Sequence, residues 1–165
     1  GGFVVWGSHI TFEAELMLEI IASQPAHGDR VIEIWRAAVD ATHDFLVPED
    51  RQALDREVCA FLPQAPLWLA RQAGGRIAGF MMLSGSHMDA LFIDPDLHGR
   101  GVGRSLVEHA ITHHGALTTD VNAQNPGAIG FYKALGFVET GRSDLDDQGR
   151  AYPIIHLERS ASPTD

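Results

Sequence analysis

The sequence is short of cysteine and of basic side chains, and each shortage closes off a class of function. Cys59 is the one cysteine among 165 residues, so the chain has neither a disulfide framework nor a cysteine-based metal centre, and a cytoplasmic setting is expected. Lysine and arginine total 12 against 22 acidic residues, a formal net charge of -10. With no surplus of cations to neutralise phosphates, nucleic acid is not an expected partner. A cationic partner suits the balance, although net charge speaks to steering and solubility more than to specificity. No apolar run approaches the roughly 18 residues that cross a bilayer, so no membrane association is expected. The opening GGFVVWGSHITFEAEL lacks the basic start and long apolar segment of a secretion signal.

What the chain does contain is 45% hydrophobic and 21% charged residues, the composition of a folded domain with a real core. One domain is expected over residues 18–159, with 1–17 as an N-terminal extension and 160–165, SASPTD, as a flexible tail. Leu18–Ala22 reads as a short strand. Pro25 and Gly28 precede a helix over about Asp29–Ala41, whose Val31, Ile34, Trp35 and Ala38 recur at helical spacing. Pro48 is expected to open a second helix, with Glu49 and Asp50 in its first turn. Its apolar face would be Leu54, Val58, Phe61 and Leu62, and Pro63 and Pro66 would end it.

Trp68–Arg71 and Ile77–Leu83 flank Gly74-Gly75 as a hairpin. His87–Ile93 reads as a strand with His87, Asp89, Leu91 and Ile93 on one side and Met88, Ala90 and Phe92 on the other. A helix near Gly101–His113 follows, then a strand Leu117–Val121 and a short helix Pro126–Leu135 closed by Gly136. Strands Phe137–Gly141 and Ile154–Leu157 complete the chain. This mixed order predicts a single α/β domain and argues against a regular barrel or an ordinary doubly wound sheet.

The most informative stretch is DPDLHGRGVGRSLVEHAI, Asp94 to Ile111. Gly99, Gly101 and Gly103 lie between a strong strand and a strong helix. Glycine permits a tight backbone path and lets a ligand approach main-chain N–H groups. Those groups are unpaired at a helix start and carry the positive end of its dipole, so they make an anion cradle. Arg100 and Arg104 add positive charge. No Lys-Ser or Lys-Thr follows, which excludes a P-loop, and the dinucleotide fingerprint fails at its last glycine. A glycine-rich turn with no ligand is the plain alternative.

With these residues in view, the chain resembles the GNAT superfamily of acyl-CoA-dependent N-acetyltransferases. The family pattern Gln/Arg-x-x-Gly-x-Gly/Ala falls on His98-Gly99-Arg100-Gly101-Val102-Gly103, with Pro95 in its usual place and His98 as the departure. A second match, VNAQNPGAIGFYKALGF from Val121 to Phe137, resembles the family's late segment ending in Phe-Tyr-x-x-x-Gly-Phe. The resemblance covers about residues 18–159 and implies the GNAT fold, a central mixed sheet flanked by helices. It also implies acetyl-CoA as cosubstrate and a primary amine as acceptor, with no metal. Further segments, among them AAVDATHDFL, SGSHMDALFIDPD and DLDDQGRAYPIIHL, look like those of a family member that acetylates protein lysine side chains. That closer likeness implies the same acceptor here.

Several roles follow from the resemblance. Leu91, Phe92 and Ile93 would pair through their backbone with the pantetheine arm, beside an irregularity in their strand. The turn His98 to Arg104 would hold the pyrophosphate. Tyr132 aligns with the tyrosine that protonates the departing thiolate in the family; the alternative is a buried tyrosine that only packs. Asn125 would contact the cofactor or cap the helix that follows it. His87 stands where some members place a catalytic glutamate, and imidazole accepts a proton near neutral pH. Asp89 would orient it, although a structural histidine is the plain alternative. His43, Asp44 and Phe45 fall where the family shapes its acceptor site.

His109, His113 and His114 lie on an amphipathic helix without partners at metal-ligand spacing, so no metal is expected. Because Cys59 is far from both motifs in sequence, direct transfer in a ternary complex is the simpler chemistry. A small cationic amine (polyamine, aminoglycoside or amino acid) and a non-catalytic acyl-CoA-binding module remain the competing readings. The protein would act as a monomer or homodimer.

Overall fold

The computed structural model describes residues 17–160. The segments 1–16 and 161–165, which carry most of the expected extension and tail, lie outside the described residues. Proline and glycine punctuation sets the elements. Strand β1 spans Leu18–Ala22, and a 3-10 turn at Pro25–His27 leads into helix α1, Gly28–Thr42. Its helically spaced Val31, Ile34, Trp35 and Ala38 are all buried, as a single apolar stripe requires. Pro48 opens α2, Pro48–Phe61, with Glu49 and Asp50 at the positive end of its dipole.

The two helices are tied by charge. Arg36 donates to both carboxylate oxygens of Asp55 at 2.9 Å, and Arg51 bonds Asp40 and Asp55 while lying 5.0 Å above the Trp35 ring. One expectation fails here. Phe61 is 53% exposed, and Leu62 is buried in its place. The α-helix stops at Phe61 and tightens into a 3-10 turn, Leu62–Gln64, which turns Leu62 inward.

The remaining elements are β2 Trp68–Gln72, β3 Ile77–Ser84, β4 His87–Ile93, α3 Val102–His114, β5 Leu117–Asn122, α4 Pro126–Ala134, β6 Val138–Ser143 and β7 Ile154–Arg159. The strands form one mixed sheet in the order β1-β2-β3-β4-β5-β7-β6, antiparallel except between β4 and β5. Helices α3 and α4 bury one face through Met81, Met88, Leu106, Val107, Leu117 and Leu157. Helix α1 covers the N-terminal half of the other face through Val31, Ile34, Leu69 and Phe80.

The irregularity that matters lies in β4. Met82 pairs with Ala90 but Leu83 pairs with Met88, so Asp89 is an extra residue, a β-bulge. The bulge overturns the expected alternation, because one inserted residue reverses the face of everything beyond it. Met88 packs in the same cluster as Leu91 and Ile93, whereas Phe92 packs with the α1 cluster. Leu91 and Ile93 therefore do not share a face with His87. Bulges also strengthen local twist, and β4 leaves β5 here. The two strands pair only at His87↔Thr118 and Met88↔Thr119, then diverge into a fork.

Candidate active site

One flank of the fork is made by the glycine turn. Gly99 and Gly101 hold left-handed backbone, φ +78° and +77°, and open space lies where each would carry a Cβ. Gly101 caps α3, so the N–H groups of Val102, Gly103 and Arg104 precede the first intrahelical bond, from Ser105 N–H to Gly101 O. Exposed Arg100 and Arg104 stand beside them, Arg104 at 3.4 Å from Glu108. This is a cradle of backbone donors with room for phosphate oxygens, and it fits acetyl-CoA.

Two expected members contribute differently. The His98 N–H is already bonded to Pro95 O at 3.2 Å. Gly103 is buried, and a Cβ there would lie 2.9 Å from Phe131 Cζ. It serves close packing of α3 on α4.

The turn is pinned by Asp94, which the sequence did not single out. Its buried carboxylate accepts from Arg30 at 2.6 Å, from Arg76 at 3.1 Å and from the Asp96 N–H at 3.0 Å. Arg30 also donates to Ile77 O. Burial alone would raise the Asp94 pKa, but the Arg30 hydrogen bond, the Asp96 N–H and the two guanidinium charges hold it below the ordinary value. Gly79 contributes as well, since a Cβ there would meet Phe92 O at 2.9 Å and Val102 at 3.0 Å.

Tyr132 is buried at the root of the fork. Its ring meets Phe131 and Phe137 edge-on at 5.1 and 5.3 Å. Burial pushes the phenol well above its ordinary range, with the hydroxyl of Thr119 acting in the opposite sense. Thr119 pairs with Met88 at the last joined position of β4 and β5, so the phenol group lies where the strands part. Raised in this way, the phenol is a hydrogen-bond donor at neutral pH, and its oxygen can still accept. Asn125 caps α4, its side-chain oxygen accepting from the Ala128 N–H at 3.2 Å.

The other flank is built from side chains. His43 ends α1, its Nδ1 2.6 Å from Thr42 Oγ1 and its ring 5.2 Å from Phe45. Burial lowers its pKa, against the charge of Asp44. Phe45 meets Tyr152 at 5.9 Å. The Tyr152 hydroxyl donates to Asp50 at 2.5 Å and accepts from the Val47 N–H. Arg150 faces Asp50, Glu57 and Asp146 at 3.8–3.9 Å, and Gln148 donates to Glu57. The connection between β6 and β7 is thereby strapped to the α1–α2 loop, a contact that neighbouring residues in the sequence do not announce.

His87 and Asp89 do come together, with Nε2 to Oδ1 at 3.8 Å. Asp89 also accepts from Ser84, and His87 Nδ1 lies 2.7 Å from Thr118 Oγ1. A second carboxylate, Asp120 on β5, lies 3.6 Å from His87 Nε2. Its other oxygen is 2.6 Å from His156 Nδ1 on β7. Asp120 and His156 were missed. The only signals available were a lone acid in a strand of Leu, Thr and Val and a lone histidine in Ile-Ile-His-Leu. Among the described residues no group of three or more His, Cys, Asp or Glu is arranged to hold a metal ion. Cys59 borders the groove between α1 and α2, bonded to Arg36 and Asp55. There it adjoins Ile32 and Arg36, which lie off the buried stripe of α1.

A family model described as an acetyltransferase (GNAT) domain matches residues 34–153. The peptidyl-lysine N-acetyltransferase YjaB of Salmonella typhimurium is 53% identical over 142 residues, which cover 86% of this chain and 98% of that protein. The peptidyl-lysine N-acetyltransferase YiaC of Escherichia coli is 28% identical over 109 residues, 65% of this chain and 74% of that one. Among solved structures, the solution structure of apo-form YjaB from Escherichia coli matches with a TM-score of 0.84 at 51% identity, covering 88% of this chain and 99% of that one.

Proposed function

The chain belongs to the GNAT family and is an acetyl-CoA-dependent N-acetyltransferase, and from that premise we propose that it acetylates protein lysine side chains by direct transfer in a ternary complex. The observation that carries the acceptor is likeness over nearly the full length of YjaB, a peptidyl-lysine N-acetyltransferase. The charge beside His87 supports a cationic amine, since Asp89 and Asp120 lie 3.8 and 3.6 Å from its Nε2.

Acetyl-CoA supplies an activated acyl carbonyl and a good leaving group. The N–H groups of Gly99 to Arg104 hold its pyrophosphate, and Arg100 and Arg104 add charge. The freed edge of β4, Leu91 to Ile93, pairs with the pantetheine, and an N–H from this edge polarises the thioester carbonyl. Asn125 keeps the rim beside it in place. His87, oriented by Asp89, takes the proton that an ammonium must lose before it can attack. Tyr132 donates its phenolic hydrogen toward the sulfur. His43, Asp44 and Phe45 line the approach of the amine. Cys59, on the outer groove, takes no part, and the reaction runs in the cytoplasm.

A thiol-release assay with acetyl-CoA tests the acceptor across lysine peptides, polyamines, aminoglycosides and free amino acids. Lysine peptides are expected to turn over best. Turnover confined to the small amines would replace the protein acceptor with that class.

A further inference from the structure

On the sheet face opposite α3 and α4, the polar residues of the C-terminal strands form a connected row. Alternation on β5 buries Leu117, Thr119 and Val121 and turns Thr118 and Asp120 the other way, while on β7 Ile155 and Leu157 are buried and His156 is turned outward. Asp120 and His156 are register partners across β5 and β7. The imidazole is held at both ends: Nδ1 lies 2.6 Å from Asp120 Oδ1, and Nε2 lies 2.7 Å from Ser143 Oγ on β6. Directly opposite on β6 stands Gly141, where even a Cβ would make only an ordinary van der Waals contact, 3.6 Å from His156 Cδ2. The second Asp120 oxygen faces His87 Nε2 across 3.6 Å. That gap is too long for a direct hydrogen bond, but one N–H group or water can bridge it.

We propose that His156 is a positioning residue for amine deprotonation, acting through Asp120 on His87. Resting on the reading given above, this deepens it: Ser143 orients His156, His156 fixes one carboxylate oxygen, and the other is thereby aimed at the imidazole that receives the proton. A primary ammonium entering the space between His87 Nε2, Asp120 Oδ2 and Asp89 Oδ1 is held by two carboxylates. It gives one proton to the imidazole, becoming the neutral amine, and the resulting imidazolium lies between two negative charges. The charged and titratable groups on the face of the row are His87 and Asp89 on β4, Asp120 on β5 and Glu158 two residues along β7, whereas Glu139 and Arg142 on β6 are register partners of the buried Leu157 and Ile155 and belong to the opposite face. Asp50, Asp146, Arg150 and Tyr152 pair with one another in the strap between α2 and the β6–β7 connection.

The sign follows from the charges. A carboxylate aimed at His87 favours the protonated imidazole, so loosening Asp120 moves the acidic limb of kcat/KM for the amine to lower pH. His156→Ala is expected to do this and to lower kcat about tenfold, with acetyl-CoA binding and thermal unfolding close to wild type. In His156→Asn the amide N–H replaces the Nδ1–H, and most of the kcat is expected to return. The decisive arm is a double-mutant cycle, run with whichever amine the wild type turns over. If His156 acts through His87, His156→Ala adds little to His87→Ala. Additive losses, or an unmoved acidic limb in the folded His156→Ala protein, would overturn the proposal. If His87→Ala itself leaves the limb unmoved, the assignment of the base fails, and the role of His156 falls with it. A limb that moves for His87→Ala but not for His156→Ala sinks the positioning role alone.

Discussion

The two flanks of the fork between β4 and β5 are made of different material. On the flank we assign to the cofactor most working groups belong to the main chain, supplied by one continuous stretch from Leu91 to Arg104, with the Arg100 and Arg104 side chains beside them. On the flank we assign to the acceptor they are side chains gathered from separate places: His43 and Phe45 after α1, His87 and Asp89 on β4, Asp120 on β5, Tyr152 before β7 and His156 on it. A main-chain site asks little of the sequence beyond glycine where the backbone is left-handed. A side-chain site depends on which strands lie together and in what register. Such a fold can keep its cosubstrate while its acceptor changes, because the second flank is rewritten without touching the first.

The sharpest way to break this division is at the root of the fork, where both flanks meet. Tyr132→Phe removes one hydroxyl from a packed ring, so acetyl-CoA should still bind while kcat falls about 100-fold, the lower end for a positioned proton-transfer group. Steady-state kinetics beside direct binding would show it, and an unchanged kcat would leave Tyr132 a packing residue.

A smaller effect separates the glycines of the cofactor flank. Gly101→Asp puts negative charge into open space at the cradle and should weaken acetyl-CoA binding at least about tenfold, ~1.4 kcal/mol. Gly103→Asp should instead act on stability, by about 3 kcal/mol or more, since it drives a charged group against Phe131. Calorimetric binding and thermal melts on the same pair distinguish the two. If Gly101→Asp bound the cosubstrate normally, the cradle would be misplaced.

Asp94 joins the flanks through Arg30 of α1. Its folded pKa is depressed, so its contribution to stability is complete above the ordinary carboxylate value of about 3.9 and fades as pH falls through the folded one. Asp94→Asn should cost about 1.5–3 kcal/mol at neutral pH. It should also flatten the acid limb of a series of urea midpoints, and a limb as steep as wild type would show that other groups set it. Least of all should Cys59→Ala matter. Turnover is expected to be unchanged, and acetyl trapped on Cys59 by mass spectrometry would end the direct mechanism.

The same contrast governs what could be read before the structure. Element ends fell close to expectation because Pro48, Pro126 and Gly136 act on their own neighbours. The buried stripe of α1 followed from spacing alone. The glycine turn was legible for the same reason, as was the placing of Tyr132 before Gly136-Phe137. The facing of Leu91 and Ile93 was misread, because the extra residue at Asp89 exists only relative to β3. Asp120, His156 and Tyr152 escaped notice since each takes its meaning from a partner on another element, 36 residues apart for Asp120 and His156 and 102 for Tyr152 and Asp50. Asp94 escaped too, being a residue whose value lies in two arginines brought by α1 and the end of the β2–β3 hairpin.

The strap from Tyr152 to Asp50 carries one more consequence, in the order of assembly. It closes a span of 102 residues, whereas the cradle draws on residues adjacent in the chain. Loop closure over such a span is entropically costly, and Tyr152 is synthesised well after Asp50. The cosubstrate side can therefore take shape while the amine side is still open. In the finished molecule the strap is held by hydrogen bonds that are exposed or only part-buried, and local opening is expected there before the core strands. Amide exchange would be fastest there, at the doorway for the acceptor, and slowest in the strands beneath it.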